Sequence, residues 1–242
     1  MRIRPSSLAF ALALTVSLPV FAAKDADLKP LSAKPGKILA EDAFGSAELA
    51  KTWTVAKGTA TVKDGALSLA FKEEDHHPAV LMLGAPNHNS IIKFSFKMED
   101  ATKGFALSYN SATGHLFRIL VDGEGLSVVK DVEKEKGEKP KGKGKAKSEP
   151  TKTAAAAPAP EAKKPKAKGA AANGIAKAEG KIAAGEWHTM LVEVQGTKVT
   201  VQTDTGLKAE GSHPELDVDK NGYRFVTAAS ISIDDVKAWS VE

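Results

Sequence analysis

Cysteine is absent from the 242 residues, which excludes disulfides, thiolate metal sites and a thiol nucleophile together. Stability must therefore come from burial. Aromatic residues make up only 6% of the chain, so rings for stacking on sugars or bases are in short supply. No apolar run is long enough to cross a bilayer: Leu8 to Val20 spans about 13 residues, where a spanning helix needs ~20. There is no Gly-x-Ser-x-Gly elbow, no phosphate-cradling glycine loop and no His-Glu-x-x-His pair. Serine-hydrolase and nucleotide chemistry drop out with them. A capped stretch of helical period is missing too, with at most one turn at Ala47 to Lys51.

What is present begins with an address. Arg2 and Arg4 precede the apolar run, and Val20-Phe21-Ala22 places small residues at the −3 and −1 positions of a cleavage site, the pattern of a signal peptide cut after Ala22. An uncleaved anchor is the alternative. The expected localisation is export to a periplasm, cell surface or extracellular space, with no transmembrane segment in the mature protein.

Charge is unevenly placed. The formal net charge is only +4, yet residues 133–181 hold 14 Lys and 6 Glu among Ala, Pro and Gly, for +8. The remainder is acidic. Nearly devoid of aromatic and β-branched residues, 133–181 cannot bury enough surface to offset its ordering entropy, and it is expected to be a disordered insertion. It reads either as a solvated spacer or as a polyanion-binding tether through Lys141, Lys143, Lys145, Lys147, Lys163, Lys164, Lys166 and Lys168. Without interleaved aromatics the lysines offer charge but no base stacking, so sequence-specific nucleic-acid binding is not expected.

Residues 23–40 hold two prolines and no sustained period, and read as a leader. From Glu41 on, short alternating runs dominate. Asp64-Gly65 separates two of them, a strong hairpin signal. "SIIKFSFKM" sets Ile92, Phe94, Phe96 and Met98 on one face and Lys93, Ser95 and Lys97 on the other. About ten to twelve such strands at intervals of about 8–12 residues predict an all-β antiparallel sandwich or barrel. Neither 41–132 nor 182–242 has enough strands to close two sheets, so the two stretches are expected to form one discontinuous domain.

Three stretches carry a family resemblance: "FGSAELAKTWTVAKGTATVKDGALSL", "GEWHTMLVEVQGTKVTVQTD" and "GYRFVTAASISIDDVKAW". They resemble secreted concanavalin A-like (laminin G-like) jelly-roll domains, closest to bacterial modules of the 3-keto-disaccharide hydrolase-like type. The resemblance implies a jelly-roll β-sandwich. It marks Trp53, Trp187 and Trp239 as residues of the core or its rim. It says less about function, because one fold hosts many sites.

Several residues are candidates for chemistry. Glu215, Asp217 and Asp219 look like the Glu-x-Asp-x-Glu strand of laminarinase-type glycanases, but Pro214 before them and Lys220-Asn221-Gly222 after them read as loop. The overlapping Asp-x-Asp-x-Asn-Gly pattern lacks the twelfth-position Glu of an EF-hand, since Ala228 stands there. No cofactor is required. Glu41 and Asp42 with Asp234 and Asp235 offer hard oxygen ligands for a structural calcium where related modules join their terminal strands, with ordinary turn acids as the alternative. Tyr109 and Asn110, near His115 and Arg118, form the best candidate ligand patch.

The preferred function is a secreted, non-catalytic jelly-roll module that binds a carbohydrate or an anionic envelope polymer, aided by its polycationic tether. The alternatives are a carbohydrate-active hydrolase of the 3-keto-disaccharide hydrolase or glucanase type, and a purely structural envelope protein.

Overall fold

The computed structural model of the protein describes residues 26–131 and 173–242. The expected signal peptide and the lysines from Lys141 to Lys168 lie outside the described residues. Among the described residues no helix is long and apolar enough to cross a membrane.

Among the described residues fifteen strands form, more than the sequence periodicity alone marks out. They are β1 (Pro35–Asp42), β2 (Trp53–Lys57), β3 (Thr59–Lys63), β4 (Ala66–Ala70), β5 (Ala79–Leu83), β6 (Ser90–Met98), β7 (Phe105–Ser111) and β8 (Gly114–Asp122). There follow β9 (Gly125–Lys130), β10 (Gly174–Glu179), β11 (His188–Gln195), β12 (Lys198–Thr203), β13 (Lys208–Ser212), β14 (Tyr223–Thr227) and β15 (Ser230–Val241). They make two antiparallel sheets. An eight-stranded back sheet runs β13-β12-β11-β6-β15-β4-β3 with β1 also on β15, and a seven-stranded front sheet runs β10-β9-β8-β7-β14-β5-β2.

The stretches on either side of residues 132–172 interleave in both sheets. In the back sheet β6 lies between β11 and β15, and in the front sheet β14 lies between β5 and β7. Each stretch thus supplies pairing partners that the other lacks. Between the sheets, Ile92, Phe94, Phe96 and Met98 of β6 are fully buried, as their alternation predicts. Phe225 of β14 meets Phe94 edge-on, at 5.1 Å between centroids. Burying one such ring contributes about 1.5–3 kcal/mol. The β3–β4 hairpin turns at Asp64 and Gly65, with φ of 53° and 69°. Two left-handed residues in a two-residue turn match the twist of the flanking strands, the reason Asp-Gly is favoured there.

Two expected boundaries differ in the structure. The leader is not loose: Pro35–Asp42 pairs with β15 as β1, and its register shifts near Ile38 and Ala40 break the alternation that would have marked it as a strand. Ahead of β1, the buried Glu193 carboxylate accepts from the N–H groups of Leu31 (2.7 Å), Ser32 (3.0 Å) and Ala33 (2.8 Å). Leu28 and Ala33 pack on Ile91 and Leu191 on the outer side of the back sheet. The far end of the lysine-rich stretch is ordered as well, because Gly174–Glu179 adds to β9 as the edge strand β10. An edge strand can form from backbone pairing and small side chains, which composition alone scores as disorder. Gly125 allows the approach: a Cβ there would lie 2.2 Å from Ala178 O.

Candidate functional site

Side chains on the front sheet alternate between core and solvent. On β7, β8 and β14 the core takes Leu107, Tyr109, Phe117, Ile119, Tyr223 and Phe225. Ser108, Arg118 and Arg224 therefore stand on the outer face. Register sets them in one row, Arg224 opposite Ser108 and Ser108 opposite Arg118. Ser108 is only 2% exposed, so two guanidinium groups flank a small floor residue. One step along the strands lies a second, apolar row of Val226, Ala106 and Leu120.

Arg118 forms an ion pair with Asp131. With the Asn110 amide oriented to satisfy its neighbours, its oxygen accepts from Arg224 Nη1 (2.9 Å) and its nitrogen donates to His115 Nδ1 (3.0 Å) and to Tyr109 O (3.2 Å). His115 then carries its proton on Nε2. Two buried polar atoms of this cluster have no partner, Arg224 Nε and Asp131 Oδ2. Burial lowers the Arg224 pKa from its ordinary value, and the charge of Asp131 opposes that shift. Beyond Leu120 the same face opens into a groove of about 390 Å³, whose lining includes Asp122, Glu124, Ser127, Lys177 and Glu179.

Sequence reasoning placed Tyr109, Asn110, His115 and Arg118 together as a ligand patch. The structure brings Asn110, His115 and Arg118 to one face and puts Tyr109 on the opposite side of the sheet. Its ring is fully buried, stacked on Phe117 at 4.4 Å and edge-on to Tyr223 at 5.3 Å. Alternation decides this: the residue before an outward Asn110 must point inward. Arg224 and Asp131 were missed. The alternating Tyr223-Arg224-Phe225 triplet held the signal for Arg224, since an arginine between two core aromatics must face out.

Glu215 sits in a single 3₁₀ turn, Pro214–Leu216, and Asp217 and Asp219 lie in the loop after it, as the flanking residues predicted. Glu215 is paired with Lys130. His88 lies between the two aspartates, with Nε2 2.9 Å from Asp217 Oδ1 and Nδ1 2.8 Å from Asp219 Oδ1. These hydrogen bonds, to Asp219 first and then Asp217, raise the pKa of His88. Lys220 closes the loop from inside. At 1% exposure, its Nζ donates to His88 O (2.6 Å), Leu216 O (2.8 Å) and Val218 O (2.8 Å). Burial takes its pKa down to about 8, which still leaves an ammonium at neutral pH. The acids are thus bound to cations of the protein, and none shares a strand face with another as the glycanase pattern requires.

The expected calcium set is not assembled. Glu41 Oε1 accepts from Lys237 at 2.7 Å. Asp42 spends one oxygen on the Phe44 N–H (2.8 Å) and the other on Trp53 Nε1 (2.9 Å). Asp234 Oδ1 accepts from the Asp235 N–H at 2.8 Å. Among the described residues no three metal-ligating side chains converge. Trp53 is buried in the core, while Trp187 and Trp239 are half-buried beneath Lys97 and Lys237.

No protein-family model matches the chain, and no curated protein is significantly similar to it. Solved structures do match. The carbohydrate-binding module CBM66 from Bacillus subtilis superposes with a TM-score of 0.53 at 13% identity, over 78% of this chain and 96% of the module. A Bacillus subtilis protein of unknown function with a galectin-like fold gives 0.56 at 10% identity, over 86% of this chain and 98% of the other. The laminarinase from Rhodothermus marinus gives 0.55 at 9% identity, over 86% of this chain and 99% of the enzyme. At such identities the likeness is one of fold. The protein is a concanavalin A-like jelly-roll sandwich of two antiparallel sheets.

Proposed function

We propose that the protein is an exported, non-catalytic module that binds a glycan on the outer face of its front sheet. The observation that carries this reading is the pair of parallel rows there. The row Arg224, Ser108 and Arg118, with Asn110 and His115 beside it, offers hydrogen bonds to hydroxyl groups, while Val226, Ala106 and Leu120 offer an apolar strip to a sugar's C–H face. The similarity of fold to CBM66, a carbohydrate-binding module by name, supports the same reading. Residues 133–172 would add electrostatic attachment to an anionic polymer, an attraction that salt screens over a Debye length of ~8 Å at physiological ionic strength.

Titration of the protein against a panel of neutral and acidic oligosaccharides tests the reading. Binding to at least one of them, weakened about tenfold or more by Asn110→Ala or His115→Ala, is expected, the scale of a lost buried hydrogen bond or two. Unchanged affinity in both variants moves the ligand elsewhere. Removal of 133–172, leaving β10 in place, is expected to flatten the salt dependence of retention on a polyanion. The similarity to a laminarinase keeps a hydrolase in view as the second reading. Turnover that Glu215→Gln abolishes would support it.

A further inference from the structure

Resting on the glycan-binding reading, we infer that the saccharide is acidic, and that Arg224 receives a carboxylate or sulfate carried on its ring.

The charges around the two rows point to a missing anion. Arg118 is paired with Asp131, and Lys130 with Glu215. His115 accepts at Nδ1 from Asn110 in this hydrogen-bond pattern. The hydrogen bonds of Arg224 go to neutral groups: Asn110 and His115 engage Nη1, while the buried Nε has no partner among the described residues. Among the described residues the charge of Asp131 acts on Arg224 as well as on Arg118, so two guanidinium groups share one carboxylate and the cluster keeps a net positive charge. A partly desolvated guanidinium with a free N–H is costly alone, and burial already lowers its pKa. An anion that accepts from the rest of the guanidinium offsets that charge, and arginine is suited to recognising carboxylate and sulfate.

The rest of the face fixes which end of the ligand is charged. The groove beyond Leu120 carries Asp122, Glu124 and Glu179 against the single Lys177, which is itself paired with Glu179. An acid group is repelled there and drawn to the β14 side. Val226 and Ala106 lie between, so the ring's apolar face rests on that strip with its acid over Arg224 and its neutral end towards Leu120.

The test is calorimetric titration of the full chain at fixed ionic strength with trigalacturonate, its methyl ester, a sulfated galactan trisaccharide, and inorganic phosphate. Arg224→Gln and Arg224→Lys are compared, with thermal melts to verify folding. The lysine-rich stretch attracts the acidic probes in every arm, so it cancels between the wild type and the Arg224 variants but not between acid and ester. The expected result is an acidic trisaccharide, uronate or sulfate, binding at least tenfold tighter than the neutral ester. Arg224→Gln should narrow that difference by weakening the acid at least tenfold more than the ester, and Arg224→Lys should restore part of it. The preferred acid identifies its source. Equal binding of acid and ester to the wild type overturns the acidic ligand and leaves glycan binding standing. No binding of any saccharide overturns both. Phosphate binding as tightly as the acidic sugar, with the same dependence on Arg224, reduces the site to an anion hole and overturns the saccharide. Acid preference that persists undiminished in Arg224→Gln overturns the role of Arg224.

Discussion

Lys220 Nζ lies 2.6 Å from the carbonyl oxygen of His88, while the ring of the same histidine holds Asp217 and Asp219 from outside. One residue thereby binds a cation through its backbone and two anions through its side chain. The loop from Leu216 to Lys220 closes around an ammonium as other loops close around a metal ion.

Replacing that ammonium should unfold the loop's support. Lys220→Met keeps the length and apolar stem but leaves the carbonyls of His88, Leu216 and Val218 without their donor. Each buried group so orphaned costs about 1–3 kcal/mol, reduced where water can enter. The expected loss is about 3 kcal/mol in urea unfolding. A loss below about 0.5 kcal/mol would mean that the carbonyls find other partners and that the buried charge is not structural.

The two clamped histidines give stability a defined pH dependence. His88 is raised by its hydrogen bonds to Asp219 and Asp217, and His188 by Asp204, whose Oδ1 lies 3.4 Å from its Nδ1. A raised folded-state pKa means that the native protein binds more protons than the unfolded chain between the two values, so stability falls as pH rises there. Their contribution is complete below the ordinary histidine value of 6.5 and lost as pH climbs through the raised values. His188 should dominate, because its side chain is 6% exposed while that of His88 is 45% exposed and screened by solvent. Urea melts from pH 5.5 to 9 should find the gap between wild type and His188→Gln shrinking with pH. A gap that widens would reverse the assignment.

The strands that sequence revealed are those whose apolar and polar residues alternate. Phe94 and Phe96 alternate with Lys93, Ser95 and Lys97, and Asp64-Gly65 marks its turn without help from tertiary contacts. β1 and β10 stayed hidden because bulges and small edge residues erase the period-2 signal. The outer-face patch was half legible. Asn110, His115 and Arg118 are near in sequence, across one hairpin, whereas Arg224 joins them only through the pairing of β14 with β7. Nothing local in the sequence announces that pairing. Likewise, the partner of Asp217 and Asp219 is His88, about 130 residues away, so the acids read as an isolated motif until the chain folds.

Tyr109 separates the sequence-based patch from the structural one. Its hydroxyl is buried without a partner and its ring belongs to the core, so Tyr109→Phe should leave glycan affinity unchanged and cost little stability. Removing a buried polar atom that has no partner is close to neutral or favourable. Tyr109→Ala should destabilise by about 3–5 kcal/mol, as large-to-small aromatic replacements in cores do. Side-by-side titrations and melts of the two variants decide the matter. Lost binding in a stable Tyr109→Phe protein would place the phenol in the ligand site after all.

Glu193 ties the leading segment to the fold by a charge rather than by a strand. Its carboxylate collects the N–H groups of Leu31, Ser32 and Ala33, and the Ser32 hydroxyl at 3.2 Å. Thr189 Oγ1 takes the N–H of Ala26 at 2.9 Å. Among the described residues the segment's apolar support is Leu28 and Ala33 in the small cluster with Ile91, Leu191, Trp239 and Val241, and the Gln202 amide donates to Lys29 O at 3.0 Å. Glu193→Gln keeps the shape but replaces one acceptor oxygen with an amide donor facing N–H groups. It should release residues 26–34 while β1 stays paired with β15. Limited proteolysis is expected to cut the variant between Asp27 and Lys34 at least tenfold faster than wild type, with a fall of about 2 kcal/mol in global stability, the scale of lost charge-assisted hydrogen bonds. Equal cleavage rates would mean that the segment is held by its other contacts, the hydrogen bonds of Thr189 and Gln202 and the apolar cluster, and that the carboxylate contributes nothing.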